Sequence, residues 1–288
     1  MGYVDTDVLR SGFGVFRDGE IHFRLDGRAD NGLRFRGRVE IEAFTTRDQI
    51  DENRFSAEGG FGALLIGGAD TALNEHGGVG VVYPSGGYLN HYDGDTRDLP
   101  GDPGSFVGKD DGIGIRYWID AHGFQLGASW QPERGTDGAG DSNGLVVNDG
   151  PDGSQTAFGA HWAGDLGPVG LKIGGGYLFN DDEDIGHVGA EVGVAGVTLA
   201  GFRNFEDRDL ASDLDRFGIG AQYAAGPWVV GGGYAHQDFD AAPDTDFVHV
   251  GGSYALAPGV TACAAVQWGE GRAAGDGVAV YTWLGLVF

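Results

Sequence analysis

A single cysteine, Cys263, rules out an intrachain disulfide. No stretch of 18 apolar residues occurs, so no transmembrane helix is read. Proline is sparse, and no long helical period is present. Basic residues number 18 against 43 acidic ones, a net charge of −25, which argues against nucleic acid as a partner because phosphate binding needs basic patches. The acidity alone names no ligand, since a solvated acidic surface gives the same balance. There is no GxSxG, no HExxH and no P-loop. The histidines are scattered without metal-ligand spacing. No basic, apolar and small-residue series follows Met1-Gly2-Tyr3, so no signal peptide is read, and an exported protein would here be in its mature form headed by an added methionine. The expectation is a protein that is not an enzyme and requires no cofactor.

Glycine, by contrast, reaches 57 residues without a three-residue period, and aromatics reach 11% while hydrophobic content is only 41%. That combination is poor for a thick soluble core and suits one curved sheet. Glycine stretches such as Gly174–Gly176 sit inside strand patterns, where they allow curvature or close packing rather than cradle phosphate. The final residues show the strand pattern best. Val278, Val280, Thr282, Leu284, Leu286 and Phe288 alternate strictly with Ala279, Tyr281, Trp283, Gly285 and Val287. A strand that ends on a bare aromatic terminus fits a closed membrane barrel, whose last strand pairs with its first.

Similar alternation recurs along the chain. Predicted strands are Val8–Phe16, Glu20–Asp26, Leu33–Phe44, Arg54–Glu58, Ala63–Gly67, Ile113–Asp120, Phe124–Gln131 and Thr156–Ala163. The series continues with Val169–Phe179, His187–Val194, Val197–Phe205, Leu214–Ala224, Trp228–Gln237, Phe247–Leu256, Val260–Trp268 and Val278–Phe288, sixteen in all. The connections alternate between short turns of Gly, Pro, Ala and Asp, such as Ala195–Gly196, and longer acidic loops, such as Pro132–Gln155. Short turns at one end and long loops at the other is the outer-membrane barrel plan. The predicted fold is a single domain over 1–288, an all-β, 16-stranded antiparallel transmembrane β-barrel. A phase change near Gly201 suggests a bulge, because Arg203 would otherwise face lipid at a cost of about 2–4 kcal/mol.

The segment Leu33–Ala43 assigns the faces. Leu33, Phe35, Val39, Ile41 and Ala43 share one side and suit lipid, while Arg34, Arg36, Arg38, Glu40 and Glu42 share the other and require water. Ile21, Phe23 and Leu25 oppose His22, Arg24 and Asp26 in the same way, and Ile113, Ile115, Tyr117 and Ile119 oppose Arg116, Trp118 and Asp120. Trp130, Tyr177, Phe179, Tyr223, Trp228, Tyr234, Tyr254 and Trp268 fall near strand ends on the apolar face, as interfacial girdles do.

Gly68–Gly112 is a connection of 45 residues, long enough to be functional, and between consecutive strands it could fold into the pore and narrow it. Its acidic residues include Glu75, Asp93, Asp95, Asp98 and Asp102. Nine of the 18 basic residues precede position 55, with Arg24, Arg34, Arg36 and Arg38 on the inward face and Arg10 taken with them. An acidic loop across from arginines would set a transverse field that selects among solutes.

The segment IHFRLDGRADNGLRFRGRVEIEA from Ile21 to Ala43, FGALLIGGAD from Phe61 to Asp70, and the terminal strand to Phe288 resemble a Gram-negative general diffusion porin of the compact alphaproteobacterial type. The resemblance implies an integral outer-membrane homotrimer, with each barrel a water-filled pore for small hydrophilic solutes and ions. It implies that the third external loop, Gly68–Gly112, constricts the pore against the arginine wall. It also implies membrane lipid and lipopolysaccharide as surroundings, and calcium at loop acids, for which Asp93, Asp95, Asp110 and Asp111 are candidates.

Two other readings compete. A channel selective for sugars or anions would need a lumenal aromatic track, toward which Trp118, Tyr281, Trp283 and the loop tyrosines Tyr83, Tyr88 and Tyr92 could contribute. A soluble Gly/Asp-rich calcium-binding β-protein would need nonapeptide repeats, and Asp137–Asp152 has the composition without the period.

Overall fold

In a computed structural model, residues 2–6, 12–14, 20–42, 50–68, 70–80, 113–132, 154–180, 183–208, 213–240, 243–271 and 277–286 are described. The strands are β1 (Gly2–Thr6), β2 (Gly12–Gly14), β3 (Glu20–Arg28), β4 (Arg34–Glu42), β5 (Ile50–Gly59), β6 (Gly62–Gly68), β7 (Ile113–Ala121), β8 (Phe124–Gln131) and β9 (Gln155–Leu166). They continue with β10 (Val169–Phe179), β11 (Glu183–Val194), β12 (Val197–Arg208), β13 (Leu214–Ala225), β14 (Trp228–Phe239), β15 (Thr245–Ala257), β16 (Val260–Gly271) and β17 (Gly277–Leu286). All belong to one sheet.

Neighbours in sequence pair antiparallel from β3 through to β17. The seam is β1 against β17, with Gly2 opposite Tyr281 and Thr6 opposite Gly277. The expectation that Val8–Phe16 pairs with the last strand is corrected. The strand against β17 lies earlier, at Gly2–Thr6, and Gly12–Gly14 returns along β1. Tyr3-Val4-Asp5-Thr6 is too short to announce itself by alternation, and only pairing with β17 reveals it. The antiparallel barrel plan itself stands.

Strand positions agree closely elsewhere, but many strands run two to four residues further at their long-loop ends. Glu183 and Asp184 lengthen β11, and Glu206, Asp207 and Arg208 lengthen β12. These ends are polar on both faces, so alternation fades where the wall leaves the apolar layer. The opposite ends are tight. His122-Gly123 and Ala195-Gly196 each place two successive residues at positive φ, the type I′ geometry whose twist matches a hairpin.

Exposure gives the faces directly. Phe23, Leu25, Ile66, Ile173, Val188, Leu199, Ile219 and Leu284 are exposed on one side of the wall. On the other side Leu65, Arg116, Ser129, Leu178, His187, Asn204 and Gln237 are buried. The exposed side is the lipid face. Aromatics mark its two edges: Tyr223 and Trp228 are exposed at the short-turn end, where Trp228 packs on Tyr254 at 4.3 Å, and Trp130, Tyr177 and Phe179 are exposed at the other.

The bulge expected near Gly201 is absent. The register of β12 against β11 and β13 runs without a shift, so Leu199, Gly201, Arg203 and Phe205 share the outer face. Arg203 does point outward, and its guanidinium pairs with the Asp215 carboxylate, Nε donating to Oδ1 at 3.0 Å. Tyr177 donating to Asp184 at 3.0 Å and His236 pairing with Asp246 at 3.0 Å lie at the same end. Polar groups on the outer wall are thus paired there, beyond the strand midpoints. Register shifts occur instead at Val39/Ile41 and at Ala255/Ala257.

Ile219 stands at the middle of β13 on the exposed face. Replacing it with Arg is expected to lower stability by about 2–4 kcal/mol in reversible liposome refolding, while Gln222→Arg on the lumen face changes it by less than about 0.5 kcal/mol. Equal losses would refute the face assignment.

Candidate functional site

The basic wall is built by register. Arg24 of β3 stands opposite Arg38 of β4, and Arg38 stands opposite Arg54 of β5. One step along, Asp26, Arg36, Ser56, Leu65, Arg116 and Ser129 form a second row across β3 to β8. Like charges directly opposite on neighbouring strands destabilise a sheet. Three aligned arginines therefore cost stability unless carboxylates offset the repulsion, and carboxylates stand close by. Arg36 pairs with Glu58 at 3.0 Å, Arg34 forks onto Asp26, and Arg38 contacts the buried Glu40. Over these rows lies a cavity of about 390 Å³ lined by Arg24, Arg36, Arg38, Arg54, Arg116 and Trp118.

Facing it is the first part of the long loop, whose π-helical turn Leu73–Gly77 packs against β8, β9, β10 and β11. Glycines make room for it. A Cβ at Gly159 would collide with the Ala72 carbonyl, one at Gly189 with the Val79 carbonyl, and one at Gly176 would come within 2.8 Å of Leu73. Close packing is thus the role of Gly174 and Gly176, whose missing side chains form part of this groove. Ala72 and Leu73 join Ala157, Leu178 and Ile185 in a small core with almost no exposure.

Hydrogen bonds fix the register of the loop on the wall. Ser129 accepts from the Ala72 amide at 2.8 Å, and Arg116 donates to the Asp70 carbonyl at 2.7 Å. The His161 ring contacts the His76 carbonyl at 2.9 Å, the His187 ring contacts the Val79 carbonyl at 2.9 Å, and the Gly80 amide donates to Glu191 at 3.1 Å. Each satisfies a loop backbone group that packing has removed from water.

At the point where loop meets wall, His76 stacks on Trp118 at 5.6 Å and bonds Gln125 at 2.7 Å, while the Arg116 guanidinium lies 5.5 Å from the Trp118 ring centre. Glu75 faces Arg116 at 3.7 Å. Burial pushes the Asp70 carboxyl up from 3.8 to about 6, with the nearby Glu75 charge adding to the rise and Arg116 opposing it. Burial likewise holds His76 below its ordinary value, so the ring is neutral at pH 7.

Of the arginines expected on the basic side, Arg24, Arg36 and Arg38 line the cavity, whereas Arg34 lies further toward the short-turn end, folded onto Asp26. Arg10 is outside the described residues, as are Asp93, Asp95, Asp98, Asp102, Asp110 and Asp111. Glu75 is where the acidic loop is expected, against the wall. The basic set expected from the sequence omits Arg54 and Arg116, although both sit in lumen phase on their strands. The loop-holding Ser129, His161 and His187 carry no sequence signal, because their role depends on what packs across from them.

A model of the Gram-negative porin family matches residues 2–274. Among solved structures, the chain is similar to a loop-L8 deletion mutant of OmpT, an outer membrane protein of Vibrio cholerae, at 14% identity and a TM-score of 0.67, covering 98% of this chain and 96% of that one. It is similar to a double mutant of Rh. blastica porin at 20% identity and a TM-score of 0.66, covering 100% and 96%. It is also similar to an anion-selective porin from Comamonas acidovorans at 15% identity and a TM-score of 0.64, with the same coverage. No curated protein matches the chain.

Two outcomes test the loop anchorage. Gly159→Leu, which drives a side chain into the Ala72 carbonyl, is expected to lift the turn from the wall and change single-channel conductance by about twofold; an unchanged conductance would show that the turn does not set the aperture. The folded state also holds a proton on Asp70 that the unfolded chain releases nearer pH 3.8. Stability from this group is therefore fullest below about pH 4 and is lost as pH rises through about 6. Asp70→Asn, a mimic of the protonated form, should gain on the wild type in melting temperature as pH rises from about 4 to about 7. A difference independent of pH would mean that the carboxyl titrates normally.

Proposed function

The chain belongs to the Gram-negative porin family and forms an integral outer-membrane channel, and on that premise we propose a constricted pore whose basic wall favours small anions among the hydrophilic solutes that diffuse through it. The observation that carries this is the alignment of Arg24, Arg38 and Arg54 in the wall of a cavity opposite the anchored loop. Passage needs no covalent step. A solute crosses if it fits between turn and wall, and its charge meets a cavity in which Arg24, Arg36, Arg38, Arg54 and Arg116 outnumber Asp26 and Glu58.

Charge bias here opposes the charge of the whole molecule. A net charge of −25 enriches cations at the mouths, while the local arginines lower the barrier for anions at the cavity they line. The local field dominates because it acts at contact distance, whereas charges further than about 8–10 Å are screened at physiological salt. The solved relative from Comamonas acidovorans is described as anion-selective, which agrees with this reading.

Assembly as a homotrimer, in lipid and lipopolysaccharide, is part of the proposal; one related solved structure is described as the trimer form of OmpT. Calcium at Asp93, Asp95, Asp110 and Asp111 is a proposal from the sequence alone, since those residues lie outside the described ones.

Reversal potentials in planar bilayers under a KCl gradient test the proposal. The wild type is expected to prefer chloride, and Arg24→Gln with Arg38→Gln should move the permeability ratio toward potassium by at least about threefold. A wild type that prefers potassium, or a ratio unmoved by the double substitution, would remove the arginines from the selectivity mechanism.

A further inference from the structure

A water-filled lumen needs polar groups, yet the basic cavity also holds apolar ones. Leu65 points inward between Ser56 and Arg116, and Trp118 lines both this cavity and a neighbouring one of about 700 Å³ that also contains Arg36, Glu58 and Asp120. A field that merely biases small ions requires neither side chain. Trp118 is half-buried, with His76 stacked on it, so it is held rigid while still facing the cavities.

We propose that the constriction contains a binding site for organic anions bearing an aromatic ring, with the carboxylate between Arg36, Arg54 and Arg116 and the ring against Trp118. The assignment rests on the channel reading and names the solute class of that same cavity. Arg36 and Arg116 flank the floor made by Ser56 and Leu65, which is the span a carboxylate would occupy. Arg116 and Trp118 are two residues apart on one face of β7, and the guanidinium lies 5.5 Å from the ring centre, close enough for one small molecule to place its carboxylate at the first and its ring at the second. The guanidinium fork matches the two carboxylate oxygens, and an indole offers an aromatic ring an offset-stacked or edge contact. Bound negative charge also adds a partner to the like charges that the Arg24–Arg38–Arg54 row sets opposite one another.

The test uses the full chain in planar bilayers, with block of KCl current by benzoate, acetate and benzyl alcohol. Benzoate is expected to block saturably at about tenfold lower concentration than acetate, and benzyl alcohol, which lacks the charge, is expected not to block. Trp118→Leu should bring the benzoate-to-acetate ratio to about one, and Trp118→Phe should retain most of it. The ratio is taken within each variant, so a general change of aperture cancels. Arg54→Gln should weaken block by benzoate and acetate together. Equal block by benzoate and acetate in the wild type, or a tenfold ratio that survives Trp118→Leu, would overturn the proposal. A protein that conducts no KCl at all would overturn the channel reading beneath it, a failure visible before any blocker is added.

Discussion

Backbone hydrogen bonds must be satisfied in this wall where lipid offers no partner. An unpaired amide or carbonyl in hydrocarbon costs several kcal/mol, so a sheet in a membrane cannot keep free edges. The ladder from β3 through β17 and on to β1 and β2 pairs successive strands along the wall. With the backbone committed to the wall, specificity must come from side chains, and the period of two divides them between lipid and water. Outward Ile219 and inward Arg116 obey the same rule as outward Phe23 and inward Arg24.

The division leaves the inner face of the wall with apolar packing where the start of the long loop lies against it. Leu73 and Val79 enter a groove that lacks side chains, and Gly159, Gly176 and Gly189 are the reason it lacks them. Ser129, His161 and His187 then take up the loop backbone that packing has cut off from water. On the other side of the opening the wall carries aligned arginines that a sheet selected only for stability would avoid. The turn that carries Glu75 thus lies 3.7 Å from Arg116, so opposite charges of loop and wall meet at the edge of the basic cavity.

Much of this is legible along the chain because lipid imposes a strict alternation. Leu33–Ile41 assigns both faces correctly, and the turns at Ala195-Gly196 and His122-Gly123 fall where Gly and short connections mark them. The alternation misleads where the rule relaxes. It cuts short the polar ends of β11 and β12, because both faces meet water there. It calls for a bulge to move Arg203 off the lipid face, because that residue considered alone looks intolerable, whereas Asp215 on the next strand pairs with it. It misplaces the first strand, because Gly2–Thr6 is defined by its partner rather than by its own pattern.

Local periodicity against a uniform solvent boundary is therefore enough to set the class of fold, the two faces of the wall, the family resemblance and the inward arginines of β3 and β4. Folding in three dimensions adds Arg54 and Arg116 to the basic cavity, turns Arg34 away to Asp26, sets Gly2–Thr6 against the last strand and lays the turn at Leu73–Gly77 in a glycine groove. These outcomes depend on register between strands and on contact between segments distant in the chain, such as Gly80 with Glu191 or Gly2 with Tyr281, and no local pattern encodes which residues will stand opposite one another.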